Sequence, residues 1–99
     1  MNTFEVENAT PAEFIHRVRH ELIERELNEY VEVDGDENGL VVTFRWMGST
    51  ELRYRLESTL EGFRAILDSQ RVSPLHAPFR HRFDDRFDQI LEKVGAKTI

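Results

Sequence analysis

Leu40-Val41-Val42-Thr43-Phe44-Arg45-Trp46, Met47-Gly48-Ser49 and Thr50-Glu51-Leu52-Arg53-Tyr54-Arg55-Leu56-Glu57 form the stretch on which the reading of the fold turns. On either side of Gly48 the apolar side chains recur every second residue, which is the period of a strand with one face buried. Met47-Gly48-Ser49 suits a three-residue hairpin loop in which Gly48 takes the positive φ that a side chain resists. Pairing Trp46 with Thr50 sets Phe44 opposite Leu52, Val42 opposite Tyr54 and Leu40 opposite Leu56 on one apolar face. The reverse face then holds Arg45 opposite Glu51, Thr43 opposite Arg53 and Val41 opposite Arg55. A slip of one residue would exchange the faces, so the apolar set selects this alignment over its immediate neighbours.

Working toward the N-terminus, Tyr30-Val31-Glu32-Val33 alternates in the same way and is joined to Leu40 by the turn-forming run Asp34-Gly35-Asp36-Glu37-Asn38-Gly39. Before it, Thr10-Pro11-Ala12-Glu13 has the pattern of a helix start: a capping hydroxyl, Pro at the first helical position, and a Glu three residues after the cap. Phe14, Ile15, Val18, Leu22, Ile23, Leu27 and Tyr30 follow at helical spacing, which predicts a helix over about 11–29 after a polar segment 1–9. Toward the C-terminus, Ser58-Thr59-Leu60-Glu61 reads as a second capping box. Leu60, Phe63, Ile66 and Leu67 then predict a helix over about 59–71. Phe79, Phe83, Phe87, Ile90, Leu91 and Val94 predict another, beginning at Pro78 or near Phe83 and running to 94, with Gly95 at the left-handed position that ends many helices. With strands at about 30–33, 40–46 and 50–57, the expected fold is a two-layer α+β domain. Its three-stranded antiparallel meander is packed by helices in the order α-β-β-β-α-α.

Ninety-nine residues are enough for one domain. The absence of Cys excludes disulfides, thiolate metal sites and cysteine nucleophiles. A formal charge of −6 argues against a polyphosphate partner, so no nucleic acid is expected. Met1-Asn2-Thr3-Phe4-Glu5-Val6-Glu7 has neither the basic nor the apolar part of a leader, and no run approaches the roughly 18–20 apolar residues of a span. A cytoplasmic protein without a membrane partner is the expectation.

Four groups of residues invite a chemical reading. Asp34, Asp36 and Asn38 place oxygen atoms at alternate positions, like the first half of a calcium loop. Val42 and Arg45 then occupy the places where further ligands belong. Glu13, His16, His20 and Glu24 share one helical stripe that could hold zinc, but Arg17 stands where a zinc protease carries its Glu. His76, Arg80, His81 and Arg82 could clasp a phosphate or carboxylate, or simply pair with Asp84 and Asp85. Arg45, Arg53 and Arg55, beside Val41, Thr43 and Glu32, form a sheet face suited to an acidic partner or a second copy.

None of these patterns designates a catalytic residue, a metal site or a cofactor. The expected role is a small non-enzymatic interaction or adaptor module that self-associates through a sheet face, a sheet edge or the aromatic helix. The partner-binding residues are then Arg45, Arg53 and Arg55. The alternative is a protein, enzyme or not, that holds a small anion with Arg53, Arg55 and the His76 to Arg82 segment.

Overall fold

A computed structural model describes residues 2–99 and replaces the expected meander with a six-stranded antiparallel sheet. The elements are β1 (Thr3–Glu7), α1 (Pro11–Glu24), β2 (Val31–Gly35), β3 (Gly39–Arg45), β4 (Ser49–Ser58), β5 (Gly62–Arg71), α2 (Arg80–Lys93) and β6 (Ala96–Thr98). A single 3-10 turn, Ala77–Phe79, leads into α2. The sheet order is β2-β3-β4-β5-β1-β6, and the sheet curls as a half-barrel around the two helices.

The largest correction concerns residues 59–71, which form β5 rather than a helix. Thr59 does use its hydroxyl as a cap would, accepting from the Gly62 N–H at 3.0 Å, but the Thr59 N–H donates back to the Gly62 carbonyl at 3.0 Å and the chain reverses. The same side chain-to-backbone chemistry serves a hairpin turn and a helix start. Beyond it, Phe63 and Ala65 are buried and Leu67 is half-buried, a period of two. Both edges of β5 are then paired, with β4 on one side and β1 on the other. A helix here would leave the backbone of β1 and β4 without those partners.

β1 occupies part of the segment expected to be polar tail: Phe4 and Val6 point into the core and Glu5 points out to Arg64. Gly62 lies against it so closely that an added Cβ would meet the Val6 carbonyl oxygen at 1.9 Å. β6 closes the far edge by pairing with β1.

The β3–β4 faces match the apolar alternation, but the register is displaced by two residues: Phe44 pairs with Thr50, Val42 with Leu52, Leu40 with Tyr54, Thr43 with Glu51 and Val41 with Arg53. The loop is the cause. It consists of Trp46-Met47-Gly48, closed by the Trp46 N–H on the Gly48 carbonyl at 3.1 Å, with Met47 at φ 52° and Gly48 at φ 142°. A shift of two keeps the faces and changes every partner. The expected pairing of Arg45 with Glu51 is therefore absent, and Arg45 reaches Glu32 instead.

α1 carries the expected capping box at Thr10 and Glu13, but it ends at Glu24 rather than near 29. Glu26 turns to φ 59° and the Leu27 N–H returns to the Leu22 carbonyl, so the chain leaves the helix early. Phe14, Ile15, Val18 and Leu22 seat α1 on the concave face. Phe4 and Phe14 lie 5.7 Å apart, Phe4 and Tyr54 5.5 Å, and Phe14 and Phe63 5.6 Å, tying α1 to β1 and β5 and, through Phe4, to β4. In β5 an extra residue near Asp68 breaks the ladder opposite Arg53 and Tyr54. A bulge of this kind increases local twist and bends the strand, which helps curl a sheet over helices.

Candidate functional site

α2 begins at Arg80, between the two expected starts, and sends Phe83, Phe87 and Ile90 from successive turns toward the ends of β2 and β3. Phe44 meets Phe83 in a stacked pair at 5.7 Å and Phe87 edge-on at 5.5 Å. Trp46, on the β3–β4 loop, meets Phe79 at 5.8 Å and Phe83 at 6.5 Å, both edge-on. These separations lie within the range in which ring pairs attract beyond their area. The rings do not close over one another. They leave an apolar groove of about 390 Å³, completed by Leu27, Tyr30 and Val31 and bordered by Arg45, Arg82 and Arg86. Phe44 and Phe87 are buried in its floor, whereas Tyr30, Trp46 and Phe79 at the rim are 48%, 44% and 40% exposed.

Behind Trp46 stands His76, with no exposed surface. A carbonyl can only accept, so the Nε2–H of His76 donates to the Trp46 carbonyl oxygen. Nδ1 then accepts from the Thr50 hydroxyl at 2.6 Å, and Thr50 Oγ1 in turn accepts from the Ser73 N–H at 3.1 Å. For the neutral ring, this chain of donors and acceptors is that of the Nε2–H tautomer. The ring also stacks on Trp46 at 6.4 Å and meets Phe83 edge-on at 5.4 Å, so one imidazole holds both walls of the groove. His76 is thus a structural post, buried away from solvent.

The rest of the expected anion clasp is dispersed. Arg80 donates to both Asp84 oxygens, at 2.9 and 3.1 Å, and to Gln70 at 2.6 Å. His81 faces solvent near Asp85. Of the clasp residues His76, Arg80, His81 and Arg82, only Arg82 lines the groove. Arg53 and Arg55 lie on the convex face of β4, beside Glu51 and Glu57, and Arg45 reaches Glu32 at 2.8 Å. Arg53 and Arg55 therefore do not converge with the His76 to Arg82 segment, which packs on the concave side.

The expected metal ligands have local duties. Asp34 accepts from the Gly35 N–H and from Arg19, and Asp36 accepts from the N–H groups of Asn38 and Gly39. Glu13 completes the α1 cap, His20 lies 3.5 Å from Glu24, and His16 is exposed on the same helix. Among the described residues no three His, Asp or Glu side chains are arranged to hold a metal ion. No described helix is long and apolar enough to cross a membrane.

The exposed edge of β2 is also occupied. The Val31 N–H donates to the Leu27 carbonyl at 2.9 Å, Arg19 Nε donates to the Val33 carbonyl at 2.9 Å, and the Gly35 N–H turns to Asp34. Glu32 and Asp34 would face each other if two such strands paired antiparallel about Val33, a repulsive arrangement.

One titratable group in the interior is strongly perturbed. Burial pushes the Tyr54 hydroxyl well above its ordinary range, and the carboxylates of Asp88 and Asp84 push it further, against an opposing effect of Arg80. Tyr54 remains a neutral phenol at physiological pH and offers no base there. Among the described residues the groove is lined by carbon, one phenol, one indole and guanidinium groups. That set can desolvate and orient a ligand, and it contains no nucleophile paired with a base.

Compared with protein-family models, curated proteins and solved structures, the chain matches none.

The stripe Phe79, Phe83, Phe87 was visible in the sequence as the apolar face of a helix. Its partners Tyr30, Phe44 and Trp46 fall in the expected strands 30–33 and 40–46, and only the tertiary fold brings the two sets together. Arg86 carried no signal except its position four residues after Arg82.

Proposed function

We propose that the protein is a non-enzymatic binding module whose aromatic groove takes a small, largely apolar molecule. The observation that carries this reading is the groove itself: about 390 Å³ with an aromatic floor and rim, left open between α2 and the β3–β4 loop. Sites for small molecules have this character, a concave and mostly apolar volume of about 300–1,000 Å³ with few polar groups. A molecule burying roughly 150 Å² of apolar surface there gains about 4 kcal/mol at 25 cal/mol per Å², which corresponds to roughly millimolar affinity before any polar contact is added.

Docking through Arg45, Arg53 and Arg55 has less support, because each of these cations already has a carboxylate neighbour on the same face. Self-association through the β2 edge has less still.

Trp46 is the only tryptophan and half its surface faces the rim, so its emission reports occupancy. Titration with biphenylethanol is expected to give a saturable change in that emission. Phe79→Ala, which removes an exposed rim ring, is expected to weaken the response. No saturable change in the intact protein with either biphenylethanol or the corresponding acid, biphenylacetate, would refute the reading.

A further inference from the structure

The polar border of the groove indicates what class of molecule it takes. Arg17, Arg19, Arg25, Arg45, Arg53, Arg55, Arg64 and Arg80 each reach a carboxylate. Among the described residues Arg71, Arg82 and Arg86 do not. Arg71 lies outside the groove, whereas Arg82 and Arg86 lie four apart on α2, hence on one side of that helix, and both line the groove. In a chain of net charge −6, with carboxylates available to most of its guanidinium groups, two uncompensated cations at one apolar rim are the exception. Arg82 also sits in the first turn of α2, where the helix dipole already concentrates positive potential and another cation is unfavourable. An anion placed there relieves both effects.

From this we infer that the ligand is an aryl carboxylate: its ring system lies among Phe83, Phe79 and Trp46, and its carboxylate meets the guanidinium groups of Arg82 and Arg86. The inference rests on the groove being a binding site and adds the ligand's charge and shape. A carboxylate suits the planar fork of Arg, which can donate two parallel hydrogen bonds. A ring suits walls built of ring faces and edges better than a flexible chain does, because it loses less conformational freedom on binding.

The test is calorimetric titration of the folded full chain with three probes: biphenylacetate, its uncharged counterpart biphenylethanol, and decanoate. Biphenylacetate is expected to bind about tenfold more tightly than biphenylethanol, the scale of two charge-assisted contacts at a partly hydrated rim. The double variant Arg82→Gln/Arg86→Gln is expected to bring the acid down to the affinity of the alcohol. Arg71→Gln, which removes another unpaired arginine that lies outside the groove, should leave the preference unchanged. Circular dichroism of each variant verifies that α2 is intact. Equal affinity for acid and alcohol, or a preference that survives the double variant, would overturn the carboxylate assignment while leaving the groove as a binding site. Decanoate binding as tightly as biphenylacetate would overturn the aryl assignment. Failure of both biphenyl probes to bind would overturn the underlying reading of the groove.

Discussion

Replacing His76 by Phe keeps a buried ring but deletes both of its hydrogen bonds, so it isolates what the imidazole contributes as a polar post. In the native protein Nε2–H satisfies the Trp46 carbonyl and Nδ1 receives the Thr50 hydroxyl proton, all out of contact with solvent at His76. After substitution the carbonyl and the hydroxyl proton each lose a partner. A buried polar group left unsatisfied costs about 1–3 kcal/mol, so the two together predict a loss of about 2–6 kcal/mol. Thr50 Oγ1 keeps its bond from the Ser73 N–H, which places the expectation toward the lower half of that range. Against a typical total of about 5–15 kcal/mol, the loss is a large share of stability and lowers Tm by roughly 10 °C or more. Urea denaturation followed by circular dichroism measures it. Thr50→Val combined with His76→Phe completes a double-mutant cycle in which the two effects are expected to be strongly non-additive, because they remove the same bond. Nitrogen chemical shifts of the imidazole supply an independent check, with a protonated Nε2 and a bare Nδ1 expected. A His76→Phe protein as stable as the parent to within about 0.5 kcal/mol, or strictly additive effects, would refute the network.

Three further outcomes follow from the same structure. The pKa of Tyr54 is higher in the folded than in the unfolded chain, so its contribution to stability is complete below the ordinary value of 10.0 and is lost as pH rises above it. Alkaline denaturation is therefore expected to show a slope approaching 1.4 kcal/mol per pH unit above that point, with Tyr54→Phe removing this component; identical slopes in the two proteins would contradict it. Gly62→Ala places a Cβ 1.9 Å from the Val6 carbonyl oxygen, so β1 and β5 must separate. A loss of about 2–4 kcal/mol is expected in urea titrations, with hydrogen exchange accelerated at the β1–β5 pairs. Thr10→Ala removes the α1 cap and is expected to cost about 1 kcal/mol, whereas Thr10→Ser should cost a few tenths at most.

What could be read from the sequence was set by how local the deciding chemistry is. The start of α1 was legible because Thr10, Pro11 and Glu13 satisfy one another within a single turn. The faces of β3 and β4 were legible because alternation is a property of each strand alone, while their register depended on which three residues made the loop. β5 was not legible. Leu60, Phe63, Ile66 and Leu67 fit a helix, Phe63, Ala65 and Leu67 fit a strand, and the choice is made by a partner nearly sixty positions away in β1. β1 in turn offered only Phe4 and Val6 among acids, and β6 only three residues, so the sheet's second half has little signal until its strands are placed together. For the site, Arg82 and the Phe79, Phe83, Phe87 stripe were visible. His76 read as part of a basic linker because nothing in its neighbours signals that Thr50 and the Trp46 carbonyl await it.

The central claim is that the groove between α2 and the β3–β4 loop is where this protein binds. Its most direct test is a two-dimensional NMR titration of the labelled protein with biphenylacetate, following the indole N–H of Trp46, the ring signals of Phe79 and Phe83, and the side-chain Nε–H groups of Arg82 and Arg86. The account predicts saturable shifts confined to those groups, with intermolecular contacts between the biphenyl protons and the Phe83 ring. Shifts centred instead on Arg53 and Arg55 of the convex face, or none at probe concentrations well above millimolar, would contradict it.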